Sequence, residues 1–195
     1  MVKAARRVGW YGKLPTRGDF LGRGLPPRWR GEWDGWLQRG MALAATLPDD
    51  CGWRERLACF APWRYLALPS RDEAWCGIVL ASRDRVGRAF PLTLAERLPA
   101  PMSPADGAAR LASLRGAVEE GPEALEAAIA SSLPSSCAPS AGPAGAWPTA
   151  PASLWWPLAA AHDAAARTAA WPPEPALLLD LLDIQPASHQ IASAE

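Results

Sequence analysis

A chain of 195 residues with zero formal net charge has no overall electrostatic pull toward nucleic acid or an anionic membrane surface. Its 49% hydrophobic content and 11 tryptophans exclude a disordered chain, and a domain of this size buries roughly 70% of the surface its unfolded form exposes. The 21 prolines interrupt regular elements often, so short strands and many loops are expected.

Residues 8–14, VGWYGKL, are an aromatic and β-branched run stopped by Pro15, which predicts a strand with Trp10 in the core. Residues 15–24 hold three glycines and a proline and read as a loop. Pro26 and Pro27 suit a helix entrance, and Trp29, Trp33, Trp36, Leu37, Met41 and Ala44 then recur at helical spacing, with an end near Leu47. Gly31, Gly35 and Gly40 each cost about 1 kcal/mol relative to alanine, so packing of the tryptophan face has to hold this helix. The stripe is read as core, with an exposed partner surface as the alternative.

A short helical piece is expected over 53–59, after the capping candidates Asp49 and Asp50. Residues 63–68 alternate large apolar side chains from Trp63 onward, 74–82 are a buried-strand run, and 90–95, from Phe90, are a third. The connection 83–88 is short and polar enough to make the last two neighbouring antiparallel strands.

Ser103, Pro104 and Asp106 start a helix with Leu111, Leu114 and Val118 on its apolar face; Gly121 stops it, and Pro122-Glu123 restarts a second through about residue 131. The Pro/Ser/Ala/Gly-rich residues 133–152 read as a linker or mobile loop. Residues 153–156, SLWW, predict a last strand with Trp155 and Trp156 as core aromatics. An Ala-rich helix over 158–170 and a Leu-rich helix over 175–183 are expected to close the chain. Interleaved strands and helices with at least one hairpin point to one α/β domain over 1–195 with a mixed, partly antiparallel sheet. Its halves differ in character, 1–98 carrying the motifs and 99–195 being helical and Pro-rich.

No charged side chain occurs between Ala127 and His162, but six prolines there deny a helix of about twenty residues across a bilayer. The basic start, MVKAARRVGWYGKL, lacks the apolar segment of a signal peptide, so a cytoplasmic location without direct membrane insertion is expected. Charge is unevenly placed: residues 1–97 carry 17 Lys+Arg against 10 Asp+Glu, and 98–195 carry 3 against 10. Such halves either complement each other within one fold or leave the basic one for an acidic partner.

Cys51, Cys59, Cys76 and Cys137 form no CxxC pair, and only His162 and His189 could supplement them, so neither a zinc site nor any other cofactor is expected and the thiols read as buried and free in a reducing compartment. Gly12-Lys13 lacks the rest of a phosphate loop, and neither GxSxG nor HExxH occurs. With no catalytic signature the chain reads as a non-enzyme. Two polar loops stand out, one with Lys13, Arg17, Asp19 and Arg23, the other with Arg83, Asp84, Arg85 and Arg88. Each mixes acid with arginine around glycine, which permits close backbone approach and bidentate pairing. Two uses fit that chemistry: an ion-pair network that locks the loops onto the sheet, or a recognition surface for a phosphorylated or acidic partner. A hydrolase using Asp19 or Asp84 with neighbouring arginines is the catalytic alternative.

These loops carry a resemblance. Residues 9–20, GWYGKLPTRGDF, and 82–93, SRDRVGRAFPLT, are similar to two motifs of the TagF family, as are 33–37, WDGWL, 61–65, APWRY, and 153–156, SLWW. Beyond Leu98 the likeness thins, and Trp171-Pro-Pro replaces the family's Gly-Leu-Pro. The resemblance implies a layered α/β/α sandwich. It also implies a cytoplasmic accessory protein of type VI secretion, a post-translational negative regulator acting through the forkhead-associated scaffold protein beside a threonine phosphorylation pathway. A structural adaptor that promotes assembly is the alternative of opposite sign.

Overall fold

The aromatic run that opens the chain forms strand β1 (Val8–Gly12), and the loop after it is broken by a three-residue strand, β2 (Leu21–Arg23), not anticipated from its glycines. A computed structural model describes residues 8–48, 52–98, 117, 120–131, 149–159 and 166–184. Its further elements are α1 (Pro27–Ala44), α2 (Trp53–Leu57), β3 (Trp63–Ser70), β4 (Glu73–Leu80), β5 (Leu92–Arg97), α3 (Pro122–Ser131), β6 (Ala152–Pro157), β7 (Arg167–Ala170) and α4 (Ala176–Leu181). The expected helix after Ser103 lies outside the described residues apart from its end, as does most of 133–152.

The strands form one seven-stranded sheet in the order β2-β1-β5-β4-β3-β6-β7, antiparallel at every pairing. This corrects the expected fold class: the sheet is not mixed, and with four helices among the described residues the fold is mostly sheet rather than a layered α/β/α sandwich. Helices between strands suggest crossovers to parallel neighbours. Here α1 and α2 carry the chain from edge strand β2 across one face to β3, which enters opposed to both of its neighbours. The Ala-rich helix expected through residue 170 is corrected too: residues 167–170 pair with β6, and that ladder overrides alanine's helical preference.

Side-chain alternation gives each face of the sheet its own core. One face gathers Trp63, Tyr65, Trp75, Val79, Ala95 and Trp155 under α1 and α4; the other gathers Trp10, Leu66, Leu68, Cys76, Ile78, Leu80, Leu92 and Leu94 with Leu125 of α3. Helix α1 has no side-chain cap and no acid in its first turn, so its buried stripe of Trp29, Trp33, Trp36, Leu37 and Ala44 holds it. Trp33 is the hub, with ring centroids 5.1 Å from Trp29, 5.0 Å from Trp36, 4.9 Å from Tyr65 and 6.0 Å from Trp155. Trp36 Nε1 donates to the Glu174 carbonyl at 3.1 Å and Trp171 Nε1 to Glu32 Oε2 at 2.8 Å, tying α1 to the chain's last described segment. Gly40 lets Leu178 approach closely enough that a Cβ there would sit 2.7 Å from the leucine.

Tyr65 lies across Gly77 on the neighbouring strand and reaches β5, where its hydroxyl sits 2.6 Å from Thr93 Oγ1. Thr93 in turn donates to the Ile78 carbonyl at 3.1 Å, so Tyr65 is the donor of the first bond.

Trp33→Ala is expected to lower unfolding free energy by about 3–5 kcal/mol in urea titrations, through the cavity left at the ring hub. Gly77→Ala adds one methyl where the Tyr65 ring already lies. It is expected to cost about 1–3 kcal/mol, and unchanged stability would show that the ring swings aside freely.

Candidate functional site

Antiparallel order places the two polar loops at one end of the sheet. The loop after β1 joins it to β2, the loop after β4 joins it to β5, and β5 lies antiparallel beside β1, so both loops leave from the same end of the sheet. The loops then bond directly: the Arg85 backbone N–H donates to the Arg17 carbonyl at 2.8 Å, and the Ser82 side-chain Oγ donates to the Lys13 carbonyl at 2.7 Å.

Asp84 is the centre of the junction, its side chain fully buried. Oδ1 accepts the backbone N–H groups of Val86 at 3.0 Å and Arg88 at 2.9 Å, and Oδ2 accepts Lys13 Nζ at 3.0 Å and Arg88 Nε at 2.7 Å. Four donors fill the lone-pair sites of a carboxylate. Burial alone would push this carboxyl up, but the bonds from Lys13 and Arg88 outweigh it and hold Asp84 well below the ordinary carboxylate range. Lys13 is itself buried, and its ammonium also lies 4.9 Å from the Phe20 ring. Arg88 reaches over with Nη2 to the Gly18 carbonyl at 2.8 Å. Gly87, at φ 86°, supplies the left-handed turn that brings Arg88 back toward Asp84.

The cross-loop partner of the buried acid is thus a lysine, while the arginine on Asp84 comes from its own loop. Asp19 is exposed and makes no ion pair among the described residues. Arg17 and Arg23 turn the other way, to Glu123 at 2.6 Å and Glu126 at 2.7 Å on α3, in exposed pairs that contribute little each. Arg85 is exposed. Of the aromatics singled out in the sequence, Trp10, Trp33, Trp36, Trp63, Phe90 and Trp155 are buried. Trp156 is half-buried on the opposite face from Trp155, with the Arg64 guanidinium 5.7 Å from its ring. The sequence reading missed Ser82, Gly18, Glu123 and Glu126. Only the i,i+3 spacing of the two glutamates hinted that they share a helix face. Of the cysteines expected to be buried, Cys76 is buried and Cys59, after α2, is exposed. Among the described residues no three His, Cys, Asp or Glu side chains are grouped to hold a metal ion, and no helix is long and apolar enough to cross a membrane.

The sequence model of the TagF N-terminal domain, described as type VI secretion system-associated, matches residues 9–141. The chain is also similar to the solved structure of PA0076 from Pseudomonas aeruginosa PAO1, at 31% identity and a TM-score of 0.65, over 96% of this chain and 100% of that one. No curated protein matches.

Asp84→Asn keeps the shape of the hub but removes its charge, and is expected to lower the melting temperature far more than Asp19→Asn does. The depressed folded value of Asp84 fixes the pH dependence. Its stabilisation is complete above the unfolded carboxylate value of about 3.9 and is lost as pH falls through the folded value. The stability gap between the natural protein and Asp84→Asn should therefore be constant near neutrality and shrink below about pH 4. A gap independent of pH down to acid unfolding would mean that Asp84 is not ionised in the hub.

Proposed function

The chain belongs to the type VI secretion-associated family of TagF N-terminal domains, and from that premise we propose that it is a cytoplasmic regulatory protein that restrains the apparatus by binding one of its components. The forkhead-associated scaffold protein is the partner this reading favours. The observation that carries it is the fusion of the two motif-bearing loops into one end by the Asp84 hub. A network that fixes two loops and leaves Arg17 and Arg85 at the surface suits a preformed contact face, because little order remains to be gained on binding. Asp84 does not suit the hydrolase alternative, because a hydrolase needs a carboxylate free to take a proton or attack and its lone-pair sites are filled; the exposed Asp19 is the loop carboxylate that reading would have to use.

Deleting the gene in its host is expected to raise effector export, measured by immunoblot of culture supernatants. A fall in export would replace the negative regulator with an assembly-promoting adaptor. Arg17→Ala should leave the melting temperature within about 2 °C, since an exposed ion pair contributes so little. The same variant should weaken co-purification of the scaffold protein, and undiminished recovery would remove Arg17 from the contact face.

A further inference from the structure

The two large hydrophobic side chains that stand exposed among the described residues, Phe20 at 47% and Val86 at 66%, both lie at the loop end. Each is two positions from one side of the Arg88 to Gly18 hydrogen bond that straps the loops together. Single exposed apolar residues are ordinary on any surface, but these two are held in place. Phe20 packs edge-on against Phe90 at 4.6 Å and stacks on Tyr11 at 6.1 Å, and Val86 is anchored through its backbone N–H on Asp84.

The charges around them do not cancel. Asp84 is paired by Lys13 and Arg88, and Arg17 is paired by Glu123. Arg83 and Arg85, three positions and one position before Val86, are exposed and make no ion pair among the described residues, and Asp19 is the one exposed acid within the two loops. The end therefore presents two fixed apolar side chains together with two arginines that no described residue pairs.

We propose that this end docks an acidic peptide segment of a protein partner, with an apolar side chain of that segment covering Phe20 and Val86 while its anionic groups pair with Arg83 and Arg85. The inference rests on the reading of the protein as a binding module and adds the chemistry of what it binds. Guanidinium groups take carboxylate and phosphate oxygens with the same planar geometry, so either can supply the anion.

The test is fluorescence polarisation of the purified chain with a short fluorescein-labelled peptide in which Glu alternates with Leu and Phe. Three variants of that peptide serve as probes: Gly in place of Leu and Phe, Lys in place of Glu, and one Glu exchanged for phosphothreonine. The Glu/Leu/Phe peptide is expected to bind at least about tenfold more tightly than the Gly and Lys forms. Its binding should weaken as ionic strength rises above about 0.15 M. Arg85→Glu and Val86→Glu should each weaken binding at least about tenfold, with melting temperatures within about 2 °C of the natural protein because both side chains are exposed. Tighter binding of the phosphothreonine peptide assigns the anion as phosphate, and equal or weaker binding assigns it as carboxylate. Equal affinity for the Glu, Gly and Lys peptides overturns the proposal, as does undiminished binding by the two variants. Effector export separates this surface from the regulatory role: deletion that changes export while both variants behave as the natural protein overturns the surface alone. Deletion without effect on export overturns the regulatory role and leaves the peptide result standing.

Discussion

A carboxylate taken out of water has to be surrounded by donors, and Asp84 meets that demand by drawing on both loops. Its four bonds set the path of its own turn, place the Lys13 ammonium under the Phe20 ring and bring Arg88 to the backbone of Gly18. Lys13, Arg88 and the turn between residues 84 and 88 are oriented through this one buried acid. Removing it would strand a buried lysine and leave two backbone N–H groups without their acceptor, which is why the hub behaves as a unit rather than as separate ion pairs.

The sheet supplies the platform on which the hub is built. Strands β1, β5 and β4 lie side by side, so loops far apart in sequence emerge together, as the Ser82 to Lys13 bond, spanning 69 positions, records. Beneath them the tryptophan stripe of α1 closes one face, and the ring hub at Trp33 joins helix, interior strand β3 and strand β6 in a single cluster. Rigid core and fixed loop end are parts of the same packing, since Phe90 and Tyr11 belong to that cluster and carry Phe20 above it.

Much of this was legible in the sequence because local rules governed it. The period of Trp29, Trp33 and Trp36 marked α1, the proline pair marked its start, and the polar turn between two apolar runs marked the β4–β5 hairpin. Strand direction was not legible. Whether the helices between β2 and β3 led to a parallel or an antiparallel neighbour depended on where β3 docked, which no local pattern states. Residues 167–170 failed for a similar reason: a short Ala-rich segment takes the conformation that its neighbour β6 imposes. At the loop end, the residue types were right and the pairings were not. Arg17 and Arg23 found glutamates 106 and 103 positions away, beyond the reach of spacing arguments.

Strand order also sets a timetable. Five contiguous strands, β2-β1-β5-β4-β3, are complete once residue 97 has been made, but the outer edge of β3 finds its partner only in β6, whose register runs from Ala152 to Pro157. If those strands pair as they are made, that edge, bearing Trp63, Tyr65 and Leu66, has no β6 to pair with until Ala152 is reached. An unpaired hydrophobic strand edge is a template for pairing with another chain. By pairing with β3, β6 removes that template from the finished fold, a service separate from anything the loop end does.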